Sequence, residues 1–290
     1  MKRIAILTSL NMPNLMPYDN EVIRLLNASG DIHAEPIIWE TQADRLKEFD
    51  AAIFRTTWGY HEKAEQFSDF LNYLEEIRIP TFNPMHIIKA NFHKFYLKEL
   101  AESGIEIIPT EFVTSGSEMT LKEIITKTGW EKFIIKPAVS AGSYRTHLFS
   151  SEQIDEAAGV YDSMHTTDDL MIQKYLPEVE TLGEFSTIFF SNGCCFTVNK
   201  IPQLGDYRVQ SNYGGKYNVI EPNDIIRRTS EKIASRFITD CLYVRVDGLF
   251  SEGRFLLMEA EMLEPDLYLN IYPEAIPEFV KSILDKIQTV

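Results

Sequence analysis

Over its first 84 residues the chain alternates short apolar runs with stretches of helical periodicity, and that alternation restricts it to a parallel sheet with helices packed on it. Residues 2–10 (KRIAILTSL) read as a buried strand. Residues 20–29 follow with Val22, Ile23, Leu25 and Leu26 at helical spacing and Gly30 as the stop. Strands at 34–39 and 51–55, a helix at 65–77 and a short strand at 80–82 complete an open α/β sheet. No GxGxxG follows the first strand, which argues against a dinucleotide-binding domain. Ligands of open α/β sheets gather beyond the carboxyl ends of the strands. Two loops belong there, 8–19 and 55–61 (RTTWGYH). Arg55 offers a planar fork that matches a carboxylate. It is therefore expected to grip a substrate carboxylate, with Trp58 or Tyr60 against the substrate's body. The competing expectation is that Arg55 pairs with an acidic neighbour such as Asp19 or Glu62.

The pattern changes after residue 84. A helix over 84–103, a strand over 106–113 and a helix over 118–128 lead to Gly129. Beyond it the chain is mostly β, with strands at 132–136, 144–149, 170–176, 184–190, 194–201, 242–250 and 255–263. Helices at 151–162, 223–240 and 274–287 interrupt or follow them. The expected division is an α/β domain over 1–84 and an α+β region over 85–290.

Four segments of that region carry residues suited to chemistry. FLLMEAEM at 255–262 holds Glu259 and Glu261, which share a face because strand side chains alternate. The short connection at 251–254 makes a hairpin with YVRVDGLF at 243–250. Asp247 joins the two glutamates if the register shifts, for example through a bulge at Gly253. Three carboxylates on one face repel unless a cation holds them, and hard oxygen ligands suit Mg²⁺. FIIKPAVSAGS at 133–143 closes an apolar strand with Lys136, a charge that is costly to bury unless an anion meets it. The small-residue loop 138–143 behind it lets backbone N–H groups approach phosphate. It is not a Walker loop. The strand end in MIQKYLPE at 171–178 could read an adenine edge, and Glu184 a ribose. GDYRVQSNYGG at 205–215 has the make-up of a mobile lid, with Arg208 to meet phosphate.

Composition narrows the partners. There are 28 Lys and Arg against 43 Asp and Glu, a formal charge of −15, which repels nucleic acid and anionic membrane at long range. Hydrophobic residues at 44% are enough for a packed core, yet no apolar stretch approaches the length of a membrane span. Three cysteines without a CxxC pair are expected to be reduced thiols of a cytoplasmic protein. The six histidines have no metal-ligand spacing.

Lys94, Lys136 and Pro137, the QKYL run at 173–176, Arg208 in its lid-like segment, Asp247 and the Glu259–Glu261 pair occur in an order that resembles the ATP-grasp ligases, nearest the glutathione-synthetase-like branch. The stretches 55–61 and 205–210 are also similar to the ureidoserine cyclo-ligase group. The resemblance covers 85–290 as the ATP-grasp region, with 1–84 in place of the pre-ATP-grasp domain. It implies that Lys94 and Lys136 bind ATP phosphates under the loop that holds Ser140, Gly142 and Ser143. It also implies that Gln173, Tyr175 and Leu176 line adenine and Glu184 the ribose. Arg208 would stabilise the transferring phosphoryl group, with Lys136 beside it, and Asp247, Glu259 and Glu261 would hold Mg²⁺, with Mn²⁺ as the alternative ion. Glu261 departs from the Asn of many family members, and the loop has a single glycine, Gly142. The implied activity joins a small carboxylate to an amine through an acyl phosphate, between molecules or by ring closure. A nucleotide-binding regulator with a degenerate site and a kinase-like transfer to a hydroxyl are the rival readings. Expected partners are small-molecule acid and amine substrates, with no nucleic acid and no membrane. A homodimer is left open.

Overall fold

In the computed structural model, which describes residues 1–288, the chain folds around three sheets. The first is built from β1 (Lys2–Thr8), α1 (Pro17–Ala28), β2 (Ile32–Ile38), β3 (Ala51–Thr56) and α2 (Ala64–Glu76), with parallel strand order β2-β1-β3. Pro36 is tolerated in β2 because that strand is an edge. Strand alternation sorts the core. Ala5, Leu7, Ala52 and Phe54 meet Phe67, Phe70 and Leu74 of α2 in one cluster. Ile4, Ile6, Ala51 and Ile53 fall in another, with Val22 and Leu26 of α1. Residues 80–82 add a single bridge, Thr81 to Ala52, rather than a full strand.

Two short helices follow, α3 (Met85–Phe92) and α4 (Tyr96–Glu102), where one helix over 84–103 was expected. The break has a tertiary cause. His93 is extended, and the Lys94 amide donates to Ala138 O at 3.0 Å instead of to a helix carbonyl. Next come β4 (Thr110–Val113), α5 (Leu121–Thr128), β5 (Lys132–Pro137), β6 (His147–Ser150), α6 (Ile154–His165) and β7 (Leu170–Lys174). Their antiparallel sheet, β4-β7-β5-β6, buries Phe133, Ile135, Phe149, Leu170 and Ile172 beneath α5 and α6.

The third sheet, β10-β9-β8-β11-β12, comprises β8 (Glu184–Phe190), β9 (Cys195–Ile201), β10 (Lys216–Ile220), β11 (Tyr243–Ser251) and β12 (Arg254–Glu261). It is preceded by the short α7 (Glu178–Thr181) and crossed by α8 (Asp224–Ala234). One face, with Phe185, Phe189, Val244, Val246 and Ala260, packs with Ile226 and Ile233 of α8. The other is divided along its length. Ile188, Phe190, Phe196, Val198 and Tyr243 join the α1 cluster, while Glu184, Lys200, Asp247, Glu259 and Glu261 line an open cleft. The last helix, α9 (Ala275–Ile287), returns to the first sheet and packs against α1 through Phe279 and Ile283. All three cysteines are free thiols. No helix among the described residues is long and apolar enough to cross a membrane.

Candidate active site

The β11–β12 hairpin sets the charged face. It turns through Glu252 and Gly253, both at positive φ (51° and 75°), in a two-residue loop of the kind that suits twisted strands. Ser251 pairs with Arg254 and Gly248 with Leu257, but Asp247 pairs with Glu259 and Arg245 with Glu261. The extra residue is Met258. Without that bulge Asp247 would lie opposite Met258, and the carboxylates would fall on different faces. The register shift was expected at Gly253; it occurs six residues earlier along β11. Gly248 is required there, because a Cβ would come within 2.5 Å of Leu256 O.

Lys94 reaches this face because its neighbours hold the backbone of edge strand β12. The Asn91 side chain donates to Ala260 O at 2.7 Å, and the Tyr96 hydroxyl both donates to Ala260 O and accepts from Ala260 N, each at 2.9 Å. Lys94 Nζ then lies 3.3 Å from Glu259 Oε2 and donates to Ser140 O at 2.8 Å. Lys136 Nζ enters from β5 and lies 3.7 Å from the other oxygen of Glu259. Burial lowers the Lys136 pKa and Lys94 lowers it further, so the net shift is downward despite Glu259. At Lys94 burial also opposes the charge, but Glu259 and Glu261 outweigh it and raise the pKa.

Two cations passed over in the sequence complete the face. Arg245 chelates Asp247 through Nε and Nη2 at 2.9–3.1 Å, and Nη2 also meets Glu261. Lys200 pairs with Glu184, directly opposite it across β8 and β9. Arg245 precedes Asp247 by two residues, so strand alternation alone puts both on one face. Glu184 was assigned to ribose; here its carboxylate is engaged by Lys200. The Ser186 hydroxyl donates to Asp247. Despite burial, Arg245 and Lys200 keep the Asp247 pKa below its ordinary value.

Among the described residues no three His, Cys, Asp or Glu side chains are grouped as a metal site. Asp247, Glu259 and Glu261 are each drawn to a cation of the protein instead. Their all-oxygen donor set nevertheless fits a hard divalent ion, once the side chains turn from Arg245 and Lys94.

The cleft has a volume of about 870 Å³. Its lining is apolar and polar by turns. Ile108, Ile134, Leu176, Val179, Leu249 and Met258 line it, and Gln173 donates to the Thr110 hydroxyl at 3.0 Å. The Tyr175 hydroxyl donates to Glu180. Ser140, Gly142 and Ser143 form part of the lining. Ser140 Oγ donates to Pro137 O at 3.0 Å, and Gly142 and Ser143 both have positive φ. Also in the lining, Arg208 donates to both oxygens of Asp206 and stacks on Tyr213, its guanidinium carbon 3.8 Å from the ring centroid.

Arg55 corrects the expectation placed on it. It is 1% exposed, does not line the cleft, and donates to Asp19 at 2.8 Å and to Pro265 O at 3.0 Å. The cause is strand parity: Arg55 follows Ile53 on the face covered by α1, so its fork is turned inward. Trp58 and Tyr60 do line the cleft. The Trp58 indole donates to Glu264 O at 3.1 Å, and the Tyr60 hydroxyl lies beside the Glu264 carboxylate. Glu264 was not anticipated. Burial pushes its carboxyl up to about 7 against the pull of Tyr60, Lys94 and Arg245.

The chain shares its fold with ATP-grasp ligases of known structure. PsnB, an ATP-grasp ligase solved with Mg and ADP, superposes with a TM-score of 0.63 at 13% identity over 99% of both chains. D-alanine–D-alanine ligase from Bacillus anthracis in complex with ATP gives 0.70 at 17% identity, covering 98% of this chain and 97% of that one. More specifically, residues 4–83 match the family described as D-cycloserine synthetase DcsG, N-terminal domain. The cycloserine biosynthesis protein DcsG of Streptomyces lavendulae is 25% identical over 193 residues, which are 64% of this chain and 64% of that relative's length. The crystal structure of D-cycloserine synthetase DcsG aligns with a TM-score of 0.85 at 20% identity, over 98% of this chain and 99% of that one.

Proposed function

We propose that this chain is an ATP-dependent ligase that activates a small carboxylate as its acyl phosphate for attack by an amine, either on a second molecule or within the same one. The observation that carries the reading is the opposition of Lys94 and Lys136 to Asp247, Glu259 and Glu261 across one cleft. A carboxylate is a poor electrophile because its leaving group is oxide. Phosphorylation supplies a better leaving group, and the protein's task is then to position the groups and balance phosphate charge. Lys94 and Lys136 would bind phosphate oxygens, releasing Glu259. Arg245 would exchange Asp247 and Glu261 for the charge that develops in transfer. Arg208 would leave Asp206 to close over the phosphates, and the loop of Ser140, Gly142 and Ser143 would exclude water. Asp247, Glu259 and Glu261 would hold Mg²⁺, or Mn²⁺, whose charge would shield the phosphates. Gln173, Tyr175 and Leu176 would flank the adenine, with Glu184 toward the ribose.

Relatives named for D-cycloserine and for D-alanyl-D-alanine favour small amino-acid-like substrates. The deciding experiment is a screen for ADP release with Mg²⁺ over amino acids and small carboxylates, with product analysis. A ligase releases ADP and phosphate when acid and nucleophile are both present. A phosphorylated hydroxyl product would support the kinase-like reading instead, and ATP binding without turnover the regulatory one.

A further inference from the structure

Six carboxylates line the cleft, and four of them, Glu184, Asp247, Glu259 and Glu261, are ion-paired to Lys or Arg. Glu264 and Asp266 have no such partner among the described residues. Asp266 is used structurally, since its Oδ1 accepts from the Tyr18 hydroxyl at 2.9 Å and from Tyr268 N at 2.8 Å. Glu264 is different. It is 8% exposed, and its carboxylate lies beside the Tyr60 hydroxyl. A buried carboxylate without a cation is costly in a folded protein.

The segment carrying Glu264 is also held in place. Three successive carbonyls accept from side chains of other elements: Glu264 O from Trp58 Nε1 (3.1 Å), Pro265 O from Arg55 Nη1 (3.0 Å) and Asp266 O from Arg245 Nη1 (2.9 Å). Glu264 is thereby fixed at the cleft wall, beside Trp58 and Tyr60 and on the side of Lys94 and Arg245. Glu184, Asp247, Glu259 and Glu261 each have an ion-pair partner in the protein, and Asp266 is held by Tyr18 and Tyr268. Glu264 has no ion-pair partner among the described residues.

We propose that Glu264 receives the ammonium group of a small amino-acid substrate, with Trp58 and Tyr60 packing on its carbon body. Arg55 is a positioning residue for this wall, acting through Pro265. The assignment rests on the ligase reading and deepens it: the substrate carries a positive amine, and plain acids of the same shape are discriminated against. An ammonium supplies the ion pair that Glu264 lacks. A neutral hydroxyl in its place would leave the carboxylate uncompensated.

The test uses pairs that differ in the amine alone, alanine against lactate and serine against glycerate, in both enantiomers, titrated calorimetrically into the full chain with Mg²⁺ and a non-hydrolysable ATP analogue. Wild type is expected to bind at least one amino acid about thirtyfold more tightly than its hydroxy acid, the scale of a buried charge pair. Glu264→Gln is expected to remove that preference while still binding the nucleotide, and Glu264→Asp to retain part of it. No preference in wild type, or a preference that survives in Glu264→Gln, overturns the proposal. Because binding is read without turnover, failure of the ligase reading shows separately, as absence of ADP release from ATP with the same amino acids.

Discussion

Replacing Arg55 with Met separates a structural role from a substrate-binding one. The Arg55–Asp19 pair is 2.8 Å long with both side chains 2% exposed, and the guanidinium also donates to Pro265 O and lies 5.7 and 5.6 Å from the ring centroids of Tyr243 and Phe279. Removing one partner of such a pair strands the other, at about 3–5 kcal/mol. The lost hydrogen bond to Pro265 adds about 1 kcal/mol. Methionine fills much of the space, so we expect a net loss of about 4 kcal/mol in urea unfolding at pH 8 and a Tm lower by about 10 °C. The loss should shrink at pH 5. Burial already raises the Asp19 pKa against the pull of Arg55, and without Arg55 it rises further, so the variant gains stability relative to wild type as pH falls and Asp19 protonates. The double variant Arg55→Met/Asp19→Leu should recover most of the loss, because an apolar pair of similar volume replaces a buried ion pair at little cost. A destabilisation below about 1 kcal/mol, combined with a large rise in substrate KM, would refute this reasoning and return Arg55 to direct substrate contact.

Lys136→Met should abolish measurable ATP binding by calorimetry without lowering apo stability, since burial and Lys94 already disfavour the charge; unfolding of the apo variant would contradict it. Glu264 has an ordinary value of 4.5 and a folded value of about 7, so ionising it costs folding free energy as pH rises through that window. Glu264→Gln should therefore gain on wild type between those limits, by up to about 3 kcal/mol, and run parallel to it outside them. A constant offset at all pH values would sink that assignment. Asp206→Asn should free Arg208 from its chelate and tighten ATP binding several-fold; an unchanged Kd would mean that Arg208 does not reach the phosphates.

Much of this architecture is legible in the sequence because it depends on local periodicity. The apolar runs of β1 and β3 and the alternation that joins Glu259 to Glu261 are visible without a structure. The features that were missed depend on distant partners. The helix break before Lys94 is made by Ala138, and no residue near position 93 announces it. The bulge at Met258 depends on Gly248 across the hairpin. β10 was passed over because most of its side chains are exposed and it has little apolar alternation. Arg55 stands where a ligand-facing residue would, but parity turns it toward Asp19, and from sequence both destinations fit equally well. Arg245 was within reach: the two-residue spacing that groups the glutamates also groups Arg245 with Asp247.

The most direct test of the central claim follows the oxygen atoms of the acid. With an acid found by ADP release, both carboxylate oxygens are replaced by the heavy isotope and the released phosphate is analysed by mass spectrometry. Activation through an acyl phosphate transfers one carboxylate oxygen to phosphate, so each turnover should yield phosphate carrying a single heavy oxygen. Unlabelled phosphate released in step with product would contradict the account.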